Sequence, residues 1–280
     1  MKRIVLVGGD ERALRMAALL GRDGYEVQTI GLQNQDEQEA RIGEAEALLF
    51  PYPYSVRGDC VPTLTGLTLH PADVLEAARD NILLITGGGF NQTLEAALKL
   101  GKNFQNKCYN QHEPFVQMNA ELSAEAAVYE TMRVTTEALL CMTVMVVGYG
   151  RFGRETAKRL HALGATVWVG ARSQQQRMLA NSDGMHAFAL EELETVAPFV
   201  RIVLNTVPAQ VLKSEVLKAL NKNTYLLELA SAPYGFDREL AESLKLNYEV
   251  LPSLPARYAP ETAARALKLA ADTLLWEAFQ

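Results

Sequence analysis

The stretch VMVVGYGRFGRETAKRLHALGATVWVGARS, residues 144–173, decides the fold. Val144–Val147 is an apolar run of strand length, Gly148, Gly150 and Gly153 follow it as G-x-G-x-x-G, and Ala157, Leu160 and Leu163 recur at helical spacing. Gly164 then stops the helix and Thr166–Val169 reads as a second strand. The three glycines have separate tasks: the first permits the tight turn, the second lets backbone approach a pyrophosphate, and the third lets helix pack on strand. Backbone N–H groups and the helix dipole then face an anion. Glycines alone are weak evidence because ordinary turns also use them. The order strand, fingerprint, helix, strand is what makes the stretch a dinucleotide-binding unit.

A cofactor with a free ribose 2′-hydroxyl is held by an acidic residue at the end of the second strand, about 20 residues past the glycines. No carboxylate stands there. The strand runs into Gly170, Ala171, Arg172 and Ser173: two small residues that leave room, then a guanidinium and a hydroxyl suited to a phosphate dianion. This pattern favours NADP over NAD, the alternative being that Arg172 is a solvated loop cation.

Outward from this stretch, short aliphatic runs alternate with helical patterns, the order that builds parallel sheets covered by helices. Strands are expected near Ile4–Val7, Glu26–Ile30, Ala47–Phe50, Ile82–Thr86, Val144–Val147, Thr166–Val169, Ile202–Asn205, Tyr225–Leu229 and Tyr248–Leu251. Helices are expected near Glu11–Leu20, Pro71–Arg79, Asn91–Leu100 and Pro260–Glu277, and a continuous helical pattern, single or in two abutting pieces, fills 119–142. The fold class is α/β, with two Rossmann-like domains of parallel sheets flanked by helices. Residues 1–128 form a substrate or partner domain and residues 129–280 the NADP-binding domain, whose last helix packs back on the first. That helix carries a stripe of Ala264, Leu267, Ala270, Leu274 and Leu275, for which core packing is the default.

The N-terminal half repeats the strand, glycine and helix theme in IVLVGGDERAL, but Gly8 and Gly9 are adjacent and Asp10 follows them. A carboxylate there repels a pyrophosphate. The first half is therefore read as a domain that does not hold the nucleotide, with Asp10 a helix cap.

Composition excludes several classes. The 280 residues carry 27 Lys plus Arg against 33 Asp plus Glu, a net charge of −6, without the basic face that binds nucleic acid. No apolar run reaches the roughly 20 residues of a bilayer span, and the start is too polar for a secretory leader, so the chain reads as cytoplasmic with no membrane partner. Cys60, Cys108 and Cys141 are odd in number and widely spaced, indicating neither a disulfide framework nor a metal site. The sequence His112-Glu-Pro is not H-E-x-x-H, and G-x-S-x-G is absent.

VGYGRFGRETAKRLHALGATVWVGARS, LLELASAPYGFD, LPSLPARYAPETAARAL, the start IVLVGGDERAL and the loop FPYPYSVRGD together resemble the A chain of dipicolinate synthase across nearly the whole length. The resemblance implies a cleft between the two domains and NADP-linked oxidation of a cyclic dihydrodipicolinate, formed from hydroxytetrahydrodipicolinate, to the aromatic dicarboxylate. It also implies a possible homo-oligomer, a small flavoprotein-like second subunit, and a role in sporulation, in making the calcium-chelating acid of bacterial spores. Two departures stand out. The family's S-R-P-G-G is here Ser231, Ala232, Pro233, Tyr234 and Gly235, without the arginine. The family's N-S-I-P-T-x-E-G helix start and the linker after it are altered and shortened, leaving Glu130, Arg133, Thr135 and Glu137 in an uninterrupted helical pattern. A catalytically silent NADP-binding subunit or sensor, and a paralogue acting on a related cyclic imino acid, are the alternatives these departures suggest.

A small cyclic dicarboxylate needs cations or N–H groups, at the carboxyl ends of parallel strands where ligands bind. That criterion selects Tyr54, Ser55, Arg57 and the Gly87–Gly89 run in the first domain, and Asn205, Thr206, Pro208, Ser231 and the Pro255–Tyr258 loop in the second. Arg57 and Arg257 are the preferred carboxylate clamps because a guanidinium matches a carboxylate in two-point fashion, the alternative for each being a solvated loop charge or a surface ion pair. The cofactor candidates are Gly148, Gly150, Arg151, Phe152, Gly153, Arg172, Ser173, Thr206 and Pro208. The histidines are His70, His112, His161 and His186, and none follows. A 2-hydroxyacid dehydrogenase needs a later histidine, whereas a ring imine can lose hydride with less help from a base. His112 reads as a surface residue before it reads as a proton shuttle.

Overall fold

The computed structural model describes residues 2–34, 41–54, 60–87 and 101–280; the helix expected over 91–100, the candidates Ser55 and Arg57, and Gly88 and Gly89 lie outside the described residues. Among the described residues two parallel sheets are present. The first contains β1 (Arg3–Val7), β2 (Glu26–Ile30), β3 (Ala47–Leu49), β4 (Ile82–Thr86) and β5 (Phe104–Cys108) in the order β2-β1-β3-β4-β5. The second contains β6 (Thr143–Val147), β7 (Thr166–Ala171), β8 (His186–Ala189), β9 (Ile202–Asn205), β10 (Tyr225–Glu228) and β11 (Asn247–Val250) in the order β11-β10-β9-β6-β7-β8. These are the two common orders of doubly wound α/β folds, and each reverses direction once, between β1 and β3 and between β6 and β9.

The strand sequences explain why the sheets are double-sided. In β1, Ile4 and Leu6 face one core with Met16 and Leu20, while Val5 and Val7 face another with Phe50 and Leu75. In β6, Val144 and Val146 face one core and Met145 and Val147 the other. A parallel strand covered on both faces reads as a continuous apolar run.

The chain divides into two compact units, Met1–Asn119 with Ala259–Gln280, and Ala120–Tyr258. The division falls at Asn119, inside a helix, and the last helix, Pro260–Phe279, belongs to the first unit. There it lies against the helix Glu11–Arg22, its buried Leu267, Leu274 and Leu275 sharing a core with Met16 and Leu20. Lys268 pairs with Asp23 and, at 2.6 Å, with Asp272, and Arg15 pairs with Glu261.

The helical run expected over 119–142 is corrected. The helix is Glu113–Arg133, starting earlier because His112 Nδ1 accepts the Phe115 N–H at 3.2 Å and Pro114 suits a first turn. It ends where Val134, Thr135 and Thr136 place three β-branched residues in a row and Thr135 Oγ1 accepts the Glu137 N–H at 3.0 Å. Glu130 and Arg133 remain on the helix, paired with each other, whereas Glu137 lies beyond it and pairs with Arg201 at 2.7 Å. Two strands absent from the expected set, β5 (FQNKC) and β8 (HAFA), are sheet edges with one neighbour each.

Asp10 is the N-cap of Glu11–Arg22, its Oδ1 accepting the Arg12 N–H at 2.9 Å. The same carboxylate receives Arg12 Nε at 3.0 Å and Nη2 at 2.7 Å, and Arg12, only 4% exposed, also donates to the Tyr52 carbonyl at 2.6 Å. Asp10→Ala is expected to cost about 3 kcal/mol, roughly 1 for the cap and the rest for a buried cation left without its anion. Urea unfolding measures this, and a loss below about 0.5 kcal/mol, the range of a solvated surface pair, would contradict it.

Candidate cofactor site

Within the second unit a pocket of about 560 Å³ opens at the carboxyl ends of β6, β7 and β9. It brings together Gly148, Gly150, Arg151, Phe152, Gly153, Arg172, Thr206 and Pro208, with Gln176, Leu190 and Val211 completing its wall. This is the crevice beside the β6/β9 reversal, where ligands of doubly wound sheets bind.

The glycines divide their work by geometry. Gly148 has φ +97°, and a side-chain carbon there would stand 2.6 Å from Thr206 Oγ1 and 2.7 Å from Val207 Cγ2. A side chain at Gly153 would overlap the Gly148 carbonyl oxygen. At Gly150 a side-chain carbon would meet nothing within 4 Å. Gly150 is also the N-cap of the helix Arg151–Ala162 and offers no side-chain cap, so the helix start and an open space face each other, the arrangement that accepts an anion.

Neighbouring side chains hold the turn. Tyr149, 4% exposed, donates its hydroxyl to Asp183 Oδ2 at 2.8 Å, and Arg154 Nε reaches the same oxygen at 2.8 Å. The Arg154 guanidinium holds the Asp183 carboxyl below its usual range. Burial, aided by Asp183, pushes the Tyr149 phenol well above its ordinary value. Thr206 Oγ1 donates to the Val147 carbonyl at 2.8 Å, fixing β9's exit against β6's.

At the other end Arg172 is exposed where β7 stops. Arg177, not singled out from sequence, donates Nη1 to the carbonyls of Ala171 at 3.0 Å and Arg172 at 2.9 Å, which fixes the turn that presents Arg172. Ser173 caps the helix Gln174–Ser182, its Oγ accepting the Gln176 N–H at 3.2 Å. Its hydroxyl proton is left to donate.

The substrate candidates are more scattered. Tyr54 is 5% exposed and its ring packs edge-on against Phe50 at 6.1 Å, so the ring belongs to the core. Ser231 and Ala232 are exposed after β10, before the cis Ala232–Pro233 bond. Arg257 is exposed on the short helix Leu254–Tyr258, its guanidinium 5.5 Å from the Tyr258 ring. In the first unit, Gly9 N–H donates to the Pro62 carbonyl at 2.7 Å and a side chain at Gly8 would stand 2.7 Å from the same oxygen, so the donor a phosphate would need is engaged. A side chain at Gly87 would meet the Pro51–Tyr54 loop.

None of the four histidines lines the pocket. His112 caps its helix and lies 3.4 Å from Thr273 Oγ1, His186 lies beside Trp168 at 5.2 Å, His161 lies against Gly184, and His70 approaches Cys60 Sγ at 3.5 Å. Among the described residues no His, Cys, Asp and Glu cluster could hold a metal ion, and no helix is long and apolar enough to cross a membrane.

Comparison with known proteins agrees with this geometry. Residues 110–247 match the D-isomer specific 2-hydroxyacid dehydrogenase NAD binding domain, and residues 3–102 match the N-terminal domain of the dipicolinate synthase A chain. The dipicolinate synthase A chain of Bacillus subtilis is 25% identical over 98% of this chain and 96% of its own. The crystal structure of the dipicolinate synthase A chain from Bacillus halodurans superposes with a TM-score of 0.86, 25% identity, 98% of this chain and 97% of the other. That of the Bacillus subtilis A chain gives 0.83, 25%, 99% and 96%. These matches support a nicotinamide-nucleotide-dependent oxidoreductase. In sequence and fold, from one end to the other, the chain is similar to the A chain of dipicolinate synthase.

Proposed function

We propose that the chain is an NADP-dependent oxidoreductase that converts a dihydrodipicolinate-type ring, derived from 4-hydroxytetrahydrodipicolinate, to dipicolinate. The observation that carries the coenzyme part is one pocket holding the glycine turn, an uncapped helix start and Arg172, with no carboxylate at the end of β7. Arg172 and the Ser173 hydroxyl take the ribose 2′-phosphate, the Gly148–Gly153 turn takes the pyrophosphate, and Thr206 and Pro208 border the nicotinamide. Bound NADP⁺ supplies the hydride acceptor.

Oxidation to the aromatic ring removes one hydride and one proton. Aromatisation lowers the demand for a strong base, which suits a chain with no histidine among the residues lining its pocket. Arg257 and Arg57 are proposed to clamp the two carboxylates, with Ser231 and Ser55 as further contacts. Similarity to a protein whose name marks it as one chain of a synthase supports a second subunit, proposed to be flavoprotein-like, with a homo-oligomer of this chain as a further part of the reading. The setting is the cytoplasm of a spore-forming cell.

The test is turnover of hydroxytetrahydrodipicolinate with NADP⁺, followed as NADPH absorbance, with and without a flavoprotein partner. A rise that depends on this chain is expected. One feature favours a second reading: Ala232 stands where the resemblance to the dipicolinate synthase A chain implies an arginine. Tight NADPH binding with no turnover under either condition selects that reading, a silent NADP-binding subunit or sensor, and turnover of only a related cyclic imino acid selects the paralogue.

A further inference from the structure

Asn205, the last residue of β9, and Glu228, the last of β10, are both fully buried and side by side. Asn205 Nδ2 donates to Glu228 Oε1 at 2.8 Å and Oε2 at 2.9 Å. Glu228 Oε1 also accepts the Ala230 N–H at 2.9 Å, and Oε2 the Gly235 N–H at 2.8 Å. Every neighbour on these contacts donates to a Glu228 oxygen. Burial raises the Glu228 carboxyl above its usual range, while Gly235, Asn205 and Ala230 oppose that rise. No cation partner is present among the described residues.

The consequence reaches the pocket through Asn205. Because Nδ2 must face the carboxylate, Oδ1 is turned to the Val207 N–H at 3.2 Å, and Nδ2 also reaches the Val207 carbonyl at 2.9 Å. The Val207 peptide is thus caged on both sides, and its neighbours Thr206 and Pro208 form the pocket wall. The same carboxylate gathers the Ala230–Gly235 turn, where the Gly235 carbonyl accepts the Leu212 N–H at 2.9 Å. Gly235 is needed there, since any side chain would overlap the Asn205 amide. Two loops leaving adjacent strands are therefore set by one buried carboxyl group.

We propose that Glu228 is a positioning residue for the nicotinamide half of the coenzyme: it orients the Asn205 amide and through it the Thr206–Pro208 wall, leaving the adenosine half at Arg172 untouched. The inference rests on the reading that a nicotinamide dinucleotide occupies this pocket. Glu228→Gln places an NH₂ group against a donor and removes one of the two Glu228 oxygens that, with the Val207 carbonyl, hold the Asn205 amide. Glu228→Asp keeps an acceptor at shorter reach, and Asn205→Ala removes the cage directly.

Calorimetry with the full-length chain compares NADPH and NADH with their truncated counterparts lacking nicotinamide, 2′-phosphoadenosine diphosphoribose and adenosine diphosphoribose. Glu228→Gln and Asn205→Ala are expected to lose about tenfold or more in affinity for the bound full dinucleotide while holding its truncated counterpart within about twofold, with Glu228→Asp in between. A role in folding alone would weaken both nucleotides together. Equal losses for full and truncated nucleotides, or no loss in either variant, overturn the inference while the coenzyme reading stands. Should Glu228→Gln not fold, Asn205→Ala carries the same comparison. Failure of the unaltered chain to bind any of the four sinks the coenzyme reading, and the inference with it.

Discussion

Gly150→Ala is expected to leave the free protein within about 1 kcal/mol of its original stability and to weaken nicotinamide dinucleotide binding by about a hundredfold or more. Gly150 has φ −77° and ψ −172°, extended backbone that alanine adopts without strain, and its added carbon would meet no protein atom within 4 Å. The small stability loss is that of alanine at an N-cap. The space that tolerates the methyl in the free protein is the space a pyrophosphate must enter to reach the helix start. Displacing the anion by one methyl radius breaks at least two charge-assisted hydrogen bonds, each worth about 1.5–3 kcal/mol, and every 1.4 kcal/mol is tenfold in affinity.

Gly153→Ala provides the contrast, because its carbon would overlap the Gly148 carbonyl oxygen and stand 2.9 Å from Thr206 Oγ1. That change acts on the protein itself and destabilises it with or without nucleotide. Thermal unfolding of the free variants alongside calorimetry with NADPH and NADH separates the two. If Gly150→Ala bound within about threefold of the unaltered chain, the open space beside Gly150 would not be the seat of the pyrophosphate.

Residues 144–173 were legible because every level of the reading agreed: strand period, glycine spacing, helix face and helix stop all specify the unit that the structure contains. What lay beyond reach has identifiable causes. The edge strands β5 and β8 have a single neighbour each, and β5, with Gln105 and Asn106 exposed, carries little of the apolar signal that marks a buried parallel strand. The end of the helix Glu113–Arg133 depends on a threonine hydroxyl bonding two residues ahead, a local competition that composition conceals. Leu163 belongs to the apolar spacing of its helix yet is 50% exposed, because it sits at the C-cap and not on the packed face. Tyr54 follows a strand as a ligand contact would, but its ring found a partner in Phe50. Glu228 was invisible as a site residue because it reads as one more position inside the expected strand Tyr225–Leu229. Its importance arises from Asn205 and the N–H groups of Ala230 and Gly235, brought to it by strand pairing and by a turn.

Arg172→Asp should exchange the coenzyme preference, with NADPH affinity falling by about a hundredfold to a thousandfold and NADH affinity unchanged or improved. The argument is electrostatic and local. Arg172 stands exposed at the end of β7 in the pocket wall, on a turn held by two bonds from Arg177 to backbone carbonyls, so the substitution changes charge without removing what shapes the turn. A guanidinium can give a phosphate dianion two parallel N–H bonds, worth about 3 kcal/mol together, and a carboxylate in its place adds repulsion of about 1 kcal/mol at a solvated rim. The same carboxylate accepts both ribose hydroxyls of NADH, the role an acidic residue plays at this position in NAD-binding folds. Calorimetry with both coenzymes at two salt concentrations reads the outcome, since the arginine–phosphate contribution should shrink as salt rises. Equal losses for NADPH and NADH would mean that Arg172 shapes the turn without reading the phosphate, and the preference for NADP over NAD would then have no residue to rest on.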